Sequence, residues 1–184
     1  MTRWLVYMGL LAAMPLTAVA ATADVGGPFQ LVDQDGHTVT DRTFRGRPLL
    51  MYFGYTSCPD ICPVDVAKVA QIARSVRKET GIDVTPVFVT VDPARDNSAR
   101  MKAYVRAFGP DVVGLTGSNA QIVQVTDAYH VYFSKVPVDG GYMMDHSTVL
   151  YLVGPNGNLL DHYGRKLSEQ DIATRVANTL QAQR

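Results

Sequence analysis

The pattern of hydrophobic and polar residues changes along the chain. Some segments alternate residue by residue or are continuously hydrophobic, as strands do, and others carry hydrophobic residues at helical spacing. The segment 29–40, FQLVDQDGHTVT, has two alternating stretches around an Asp-Gly pair, which predicts a β-hairpin. The run 48–56, PLLMYFGYT, is almost continuously hydrophobic and predicts a strand that is buried on both faces. Residues 64–81 carry hydrophobic side chains at helical spacing and end in a glycine, a frequent helix terminator. The chain is therefore predicted to begin its fold as a hairpin, a buried strand and a helix.

The rest of the chain continues this alternation and closes with two strands and a helix. The further predicted elements are a strand over 84–91, a helix opened by Asn97 or Ser98 and ending near 108, a helix over about 119–129 opened by a Ser118–Gln121 capping box, a short strand over 131–133, a loop over 138–144, strands over 148–153 and 159–163, and a last helix opened by Ser168. This order is typical of a thioredoxin-like α/β fold. The N-terminal hairpin and an inserted helical segment between Tyr104 and Lys135 are additions to a minimal form of that fold.

Residues 1–23 differ from the remainder because they are nearly uncharged and rich in small apolar side chains. Arg3 precedes an apolar run, Pro15 interrupts it, and small residues end it. This is the order of a secretory signal peptide, which predicts export to the periplasm and one mature domain over 24–184. An uncleaved inner-membrane anchor over 4–23 is the alternative, since that length matches the ~20 residues of a membrane span.

Composition narrows the class of function. The 184 residues are 47% hydrophobic and 18% charged, which suits one globular domain with a real core. Lys and Arg together number 17, as do Asp and Glu, so the formal net charge is zero. Without an excess of positive charge, nucleic-acid binding is excluded as the main function.

The only two cysteines are Cys58 and Cys62, in the sequence CPDIC. A disulfide between them closes too short a loop to stabilise the fold much, so we interpret the pair as a metal or redox site. On one helical turn their α-carbons stand ~6 Å apart, which allows both sulfurs to reach one ion. That separation also lies within the ~4.4–6.8 Å at which a disulfide forms. Free N–H groups at a helix start favour the thiolate, the form that binds metal or attacks a disulfide.

A histidine would complete a metal site, because thiolates prefer Cu(I) whereas imidazole also suits Cu(II). For His37, His130 and His162, a surface or packing role is the better interpretation of their positions. His146 ends the predicted loop just before the strand 148–153, from where it can reach the cysteines. Its position alone supports a ligand role and a packing role equally.

Other residues near these positions have structural interpretations that we prefer. Met143 and Met144 are expected to pack within the loop, although their soft sulfur atoms could assist metal entry. Asp60 is expected to be a solvent-facing carboxylate at a helix start, rather than a metal ligand. The charged segment 92–96 is expected to form a salt-bridged loop that caps the next helix, with partner docking as the alternative.

Five segments resemble the Sco/SenC copper-protein family in order and spacing. They run from about 26 to 160 and read PFQLVDQDGHTVT, FGYTSCPDICPVDVAKV, FVTVDPARDN, LTGSNAQIVQVTDAYHVYFSKVP and MDHSTVLYLVGPNG. A bare CxxxC is weak evidence, but Cys-Pro-Asp-x-Cys-Pro followed far downstream by Asp-His-Ser is specific. The resemblance implies a thioredoxin fold in which Cys58, Cys62 and His146 bind one copper ion, as Cu(I), Cu(II) or both.

The resemblance also implies a role for the copper site. A protein of this family is expected to deliver copper to the dinuclear copper centre of cytochrome c oxidase, or to reduce the cysteines of that centre. The implied partners are the oxidase subunit that carries the centre, a periplasmic copper donor and a thiol reductant, with the chain itself a monomer. Two enzymatic alternatives remain: a thiol-disulfide reductase that uses the cysteine pair, and, less favoured, a thiol peroxidase. Many relatives have an anchor and a longer spacer before the domain, whereas here only about four residues separate the small-residue site that ends at Ala23 from Pro28, which favours a soluble periplasmic form.

Overall fold

Seven strands form the main sheet of the structure, a computed structural model that describes residues 25–183. The predicted signal segment 1–23 lies outside the described residues. The strands are β1 (Gln30–Asp33), β2 (Thr38–Thr40), β3 (Leu49–Gly54), β4 (Thr85–Thr90), β5 (Val113–Thr116), β6 (Phe133–Val138), β7 (Gly141–His146), β8 (Val149–Val153) and β9 (Leu159–Gly164). The helices are α1 (Ile61–Thr80), α2 (Ser98–Val105), α3 (Asn119–Ala128) and α4 (Glu169–Gln181). Each helix of the described range is too short or too polar to span a bilayer.

The order of the main sheet is β2-β1-β5-β4-β3-β8-β9, and β6 pairs only with β7 in a separate sheet. Strands β3, β4 and β5 run parallel, while the β1–β2 hairpin and the β8–β9 pair add antiparallel strands on either side. The carboxyl ends of β3 and β4 lie side by side, with Gly54 opposite Thr90. The loops after these two strands therefore emerge at the same edge of the sheet, where ligand sites of open α/β folds lie.

The hydrophobic run 48–56 forms the centre of the core, as predicted. All six residues of β3 are buried, because β4 and β8 flank the strand and helices cover the sheet. The ring of Phe53 packs 5.7 Å from Tyr129 and 5.8 Å from Tyr151, measured between ring centroids. A central strand with no polar face requires the continuous apolar sequence that the chain has there.

Helix ends follow their sequence signals. Asn97 accepts a hydrogen bond from the Arg100 N–H at 2.9 Å and so opens α2. Ser118 and Gln121 form the predicted capping box of α3, and Ser168 caps α4. Gly81 ends α1 in the left-handed conformation, at φ +70°, where a residue with a Cβ is disfavoured.

The structure differs from the sequence prediction in two regions, the β6–β7 hairpin and strand β5. Residues 138–144 are not a loop, and the short strand over 131–133 is wrong, because β6 and β7 form a hairpin that starts at Phe133. The hairpin turns at Asp139-Gly140, and Asp-Gly is a frequent turn sequence. The turn was not recognised because the flanking residues do not alternate regularly between hydrophobic and polar. Strand β5 was not predicted, since it has only four residues and contains Gly114. A Cβ at Gly114 would lie 2.9 Å from Val105 Cγ1, so this glycine permits α2 to approach the sheet.

Candidate metal centre

The two cysteines lie at the junction of β3 and α1, as predicted, but only one of them is helical. Cys62 is the second residue of α1, and Cys58 lies in the loop before it. Both cysteines precede a proline, and Pro63 is tolerated after Cys62 because it lies in the first turn of α1, where its missing N–H would have had no partner. Both cysteines are free thiols, and the Cys62 N–H donates to Cys58 Sγ at 3.4 Å. The start of the helix therefore holds the two sulfurs together without a disulfide.

Gly54 provides the space that Cys62 occupies. A Cβ at Gly54 would lie 3.0 Å from Cys62 Sγ and 2.9 Å from the Phe88 ring. Cys62 itself is fully buried between β3 and α1. Any side chain at position 54 must therefore displace the sulfur or the ring.

The two thiols have opposite electrostatic environments. Burial opposes ionisation of Cys58, but hydrogen bonds from the backbone N–H groups of residues 60–62 outweigh it and lower the pKa of this thiol. Burial raises the pKa of Cys62 well above its ordinary value, and the adjacent Cys58 adds to that effect. Cys58 is also the more exposed of the two. Cys58 is therefore the thiol that ionises first and that a partner reaches first.

His146 ends β7 and faces the buried cysteine. Its Nε2 lies 3.4 Å from Cys62 Sγ, and its Nδ1 lies 3.0 Å from the carbonyl oxygen of Ser147. A carbonyl oxygen only accepts hydrogen bonds, so Nδ1 carries the proton and the neutral ring directs the Nε2 lone pair at the sulfur. Burial lowers the pKa of His146, which favours this neutral, metal-competent form. The prediction that His146 can reach the cysteines is confirmed for Cys62, although a strand carries it rather than a flexible loop.

Two tyrosines that sequence reasoning did not identify fix the ring of His146. The rings of Tyr52 and Tyr55 meet it edge-on, at centroid distances of 6.2 and 5.9 Å. The Tyr52 hydroxyl donates to Asp65 Oδ2 at 2.9 Å, and Asp65 also pairs with Arg165 at 3.1 Å. Asp65 is the only charged residue on the buried face of α1. A charge among the apolar residues of that face is the sequence feature that could have indicated this network.

The three candidate ligands form two contacts rather than a finished metal site. Within residues 25–183, no three His, Cys, Asp or Glu side chains are already grouped closely enough to hold an ion. The existing contacts are Cys58 with Cys62, and Cys62 with His146. The Sγ–Nε2 distance of 3.4 Å is shorter than two metal–donor bonds end to end, which sum to ~4.3 Å for zinc, so one ion can bond to both atoms. Because Cys58 precedes the helix, rotation of its side chain can bring a third donor to the same ion.

Comparison with known proteins decides the family. The SCO1/SenC family model matches residues 17–181. The chain belongs to the SCO1/SenC family.

Individual members of the SCO1/SenC family are similar to this chain over most of its length. The human mitochondrial SCO1 homolog is 39% identical over 163 residues, which are 87% of this chain and 54% of the human protein. The chain thus spans about half of that relative's length. The crystal structure of Arabidopsis thaliana ScoI with copper bound superposes with a TM-score of 0.83 at 38% identity, covering 86% of this chain and 99% of that one.

A further solved structure is that of BsSco, described as having a disulfide switch and as a member of the Sco family of cytochrome c oxidase assembly proteins. It superposes with a TM-score of 0.67 at 28% identity and covers 86% of this chain and 94% of its own. These likenesses confirm the predicted thioredoxin-like α/β fold.

The remaining histidines of this SCO1/SenC domain lie on its surface. His37, His130 and His162 are all exposed, in agreement with their surface interpretation. Asp60 is exposed, as expected, and precedes α1 without a side-chain capping bond. Met144 is buried, whereas 41% of Met143 is exposed, so the packing interpretation holds for only one of the two methionines.

The charged segment 92–96 forms the expected ion pair, but its two carboxylates are buried. Arg95 pairs with Asp92, as expected, but Asp92 and Asp96 are only 1% and 0% exposed. Asn97, not either carboxylate, caps α2. Asp96 instead accepts hydrogen bonds from the Thr56 N–H at 2.9 Å and the Thr90 hydroxyl at 2.7 Å. It therefore anchors the loop that leads to Cys58.

Proposed function

We propose that this chain binds one copper ion through Cys58, Cys62 and His146 and delivers it to the dinuclear copper centre of cytochrome c oxidase. The observation that carries the proposal is the 3.4 Å approach of His146 Nε2 to Cys62 Sγ. The copper bound to the similar Arabidopsis ScoI and the oxidase-assembly role stated for BsSco support the same function.

The donor set suits copper in both oxidation states. Two thiolates favour Cu(I), and the addition of a neutral imidazole makes the site suitable for Cu(II) as well. Cys62 and His146 are buried, so they hold the ion away from solvent. Cys58 is partly exposed and its pKa is lowered, so it is the donor through which copper enters and leaves by ligand exchange.

A thiol-disulfide reductase is the second candidate, favoured by the unequal environments of the cysteines. The Cys58 thiolate attacks a partner disulfide, forms a mixed disulfide and releases one partner thiolate. Cys62 loses its proton and attacks Cys58 Sγ, which releases the second partner thiolate and leaves Cys58 and Cys62 joined as a disulfide. The pair must then be reduced by an external thiol. This sequence of steps makes no use of His146.

The proposed setting is the periplasm, with residues 1–23 removed as a signal peptide and the domain 24–184 acting as a monomer. The oxidase subunit that carries the copper centre, a copper donor and a thiol reductant are its proposed partners. Amino-terminal sequencing of the exported protein checks this setting and should give a start near Asp24. An intact Met1 in a membrane fraction that resists high salt would support the anchor over 4–23 instead.

Anaerobic copper titration of the reduced protein tests the function. We expect one tightly bound equivalent, which either Cys58→Ser or Cys62→Ser removes, because a hydroxyl is a poor ligand for a soft ion. His162→Gln is the matched control, since that histidine is exposed and lies on the edge strand β9. Unchanged stoichiometry in the Cys58→Ser/Cys62→Ser double variant would place the metal elsewhere.

A further inference from the structure

The β6–β7 hairpin, which carries His146, has few buried anchors. None of the six residues of β6 is buried, and of the six in β7 only Met144 and His146 are. The hairpin also forms no strand pairing with the main sheet. Whatever attaches the hairpin to the rest of the domain therefore sets the position of the His146 ring.

Tyr142 of the hairpin is in contact with two residues in the body of the domain, Arg95 and Asp92. Arg95, in the loop after β4, donates from Nη1 to the Tyr142 carbonyl at 2.9 Å. The guanidinium carbon of Arg95 lies 3.8 Å from the centroid of the Tyr142 ring. The Tyr142 hydroxyl donates to Asp92 Oδ1 at 2.9 Å, and Asp92 in turn accepts from Arg95 Nε. The backbone, the ring face and the hydroxyl of one hairpin residue are thus all engaged.

The guanidinium of Arg95 also lies near Tyr55, in the loop that leads to Cys58. Its carbon lies 5.6 Å from the centroid of the Tyr55 ring. Tyr55 meets His146 edge-on at 5.9 Å, and its carbonyl accepts the Cys58 N–H at 3.3 Å. Arg95 therefore lies between a ring that belongs to the cysteine loop and a ring that belongs to the histidine hairpin.

Two details favour a positioning role for Arg95 over a purely stabilising ion pair with Asp92. Arg95 Nη2 is buried and has no hydrogen-bond partner among residues 25–183, and an unpaired buried donor costs stability. Lys135 also lies over the Tyr142 ring, at 4.5 Å, but it belongs to the hairpin and cannot attach it to the body. Arg95 alone of these two cations spans the gap.

We propose that Arg95 is a positioning residue that, through Tyr142, holds the β6–β7 hairpin so that His146 stays on Cys62. Its role in metal binding rests on the proposed copper function, whereas its role in holding the hairpin does not. Loss of the Arg95–Tyr142 contact should release the hairpin and move the His146 imidazole away from Cys62. The two cysteines should stay in place. The site then retains its thiolates and loses its nitrogen donor.

Backbone amide hydrogen exchange of the metal-free, reduced protein tests the hairpin contact. In Arg95→Met, we expect exchange at the amides of β6 and β7 to rise about tenfold or more, while β3 and β4 keep their protection. Tyr142→Leu should act in the same way and leaves the Arg95–Asp92 pair intact, so it serves if Arg95→Met folds poorly. Arg77→Met is the matched control, because Arg77 pairs with Asp83 at an exposed site elsewhere. Unchanged hairpin exchange, or an equal rise throughout the sheet, would overturn the proposal.

Copper affinity tests whether the contact acts through His146. Supporting residues of metal ligands typically change affinity ~10- to 100-fold, and we expect a loss of that size for Cu(II) in Arg95→Met with little change for Cu(I). In a His146→Ala background, Arg95→Met should cause no further loss. A full additional loss there would contradict the proposed role. If the parent protein binds no copper, the proposed function fails, and the exchange measurement still decides whether Arg95 holds the hairpin.

Discussion

Cys62 Sγ lies 3.4 Å from His146 Nε2, although 84 positions separate the two residues in the sequence. Cys62 is held by the first turn of α1, and His146 is delivered by a hairpin outside the main sheet. Elements that are distant in sequence therefore meet at one buried point. The contact depends on packing around the sulfur as much as on the ligands themselves.

Gly54→Ala should disturb this packing directly. The added methyl group would meet Cys62 Sγ and the Phe88 ring, and overpacking of this kind lowers the free energy of unfolding by ~1–3 kcal/mol. Chemical denaturation measures the loss, and we expect copper affinity to fall with it. Gly164→Ala is the control, since nothing lies within 4 Å of a Cβ at that strand residue. Equal effects of the two substitutions would contradict the role given to Gly54.

The unequal thiols should be visible in their alkylation. Because the pKa of Cys58 is lowered and that of Cys62 is raised, Cys58 keeps a thiolate fraction to lower pH and Cys62 stays protonated to higher pH. With iodoacetamide between pH 6 and 9, mass spectrometry should find Cys58 modified first at every pH, whereas both cysteines react alike after denaturation. Preferential modification of Cys62 in the folded protein would refute this order.

Tyr52→Phe should cost stability without removing a ligand. The hydroxyl of Tyr52 donates to the buried carboxylate of Asp65, and loss of one partner of a buried charged group costs ~1–3 kcal/mol. Tyr132→Phe is the matched control, because Tyr132 is 59% exposed and its hydroxyl contacts Ser134 on the surface. Thermal unfolding compares the two variants. If they are equally stable, the Tyr52–Asp65 bond does not support the site.

Sequence patterns correctly predicted elements whose residues are either all buried or interact only with groups in their own helix. Strand β3 is buried on both faces and is therefore apolar throughout, and the polar caps at Asn97, Ser118 and Ser168 satisfy groups in their own helices. Signals of this kind are local, so they can be read without knowing the fold. The position of the cysteine pair between β3 and α1 was predictable for the same reason.

The parts that were missed depend on contacts between distant segments. The β6–β7 hairpin buries only two of its residues, so it lacks the hydrophobic alternation that identifies a strand. Arg95 and Tyr142 are 47 positions apart, and nothing in either local sequence indicates that they meet. Similarly, Asp65 was recognisable as a charge on an apolar helix face, but its partners Tyr52 and Arg165 were not.

The most direct test of the copper function is cytochrome c oxidase activity in cells whose only copy of this protein carries His146→Ala. Imidazole is needed for Cu(II), whereas thiol-disulfide exchange depends on the thiolate and accessibility of the cysteines. The purified variant should therefore still reduce a model disulfide at the parental rate, and His162→Gln should support normal oxidase activity. We expect oxidase activity to be lost with His146→Ala. Normal oxidase activity in those cells would contradict copper delivery and favour the reductase.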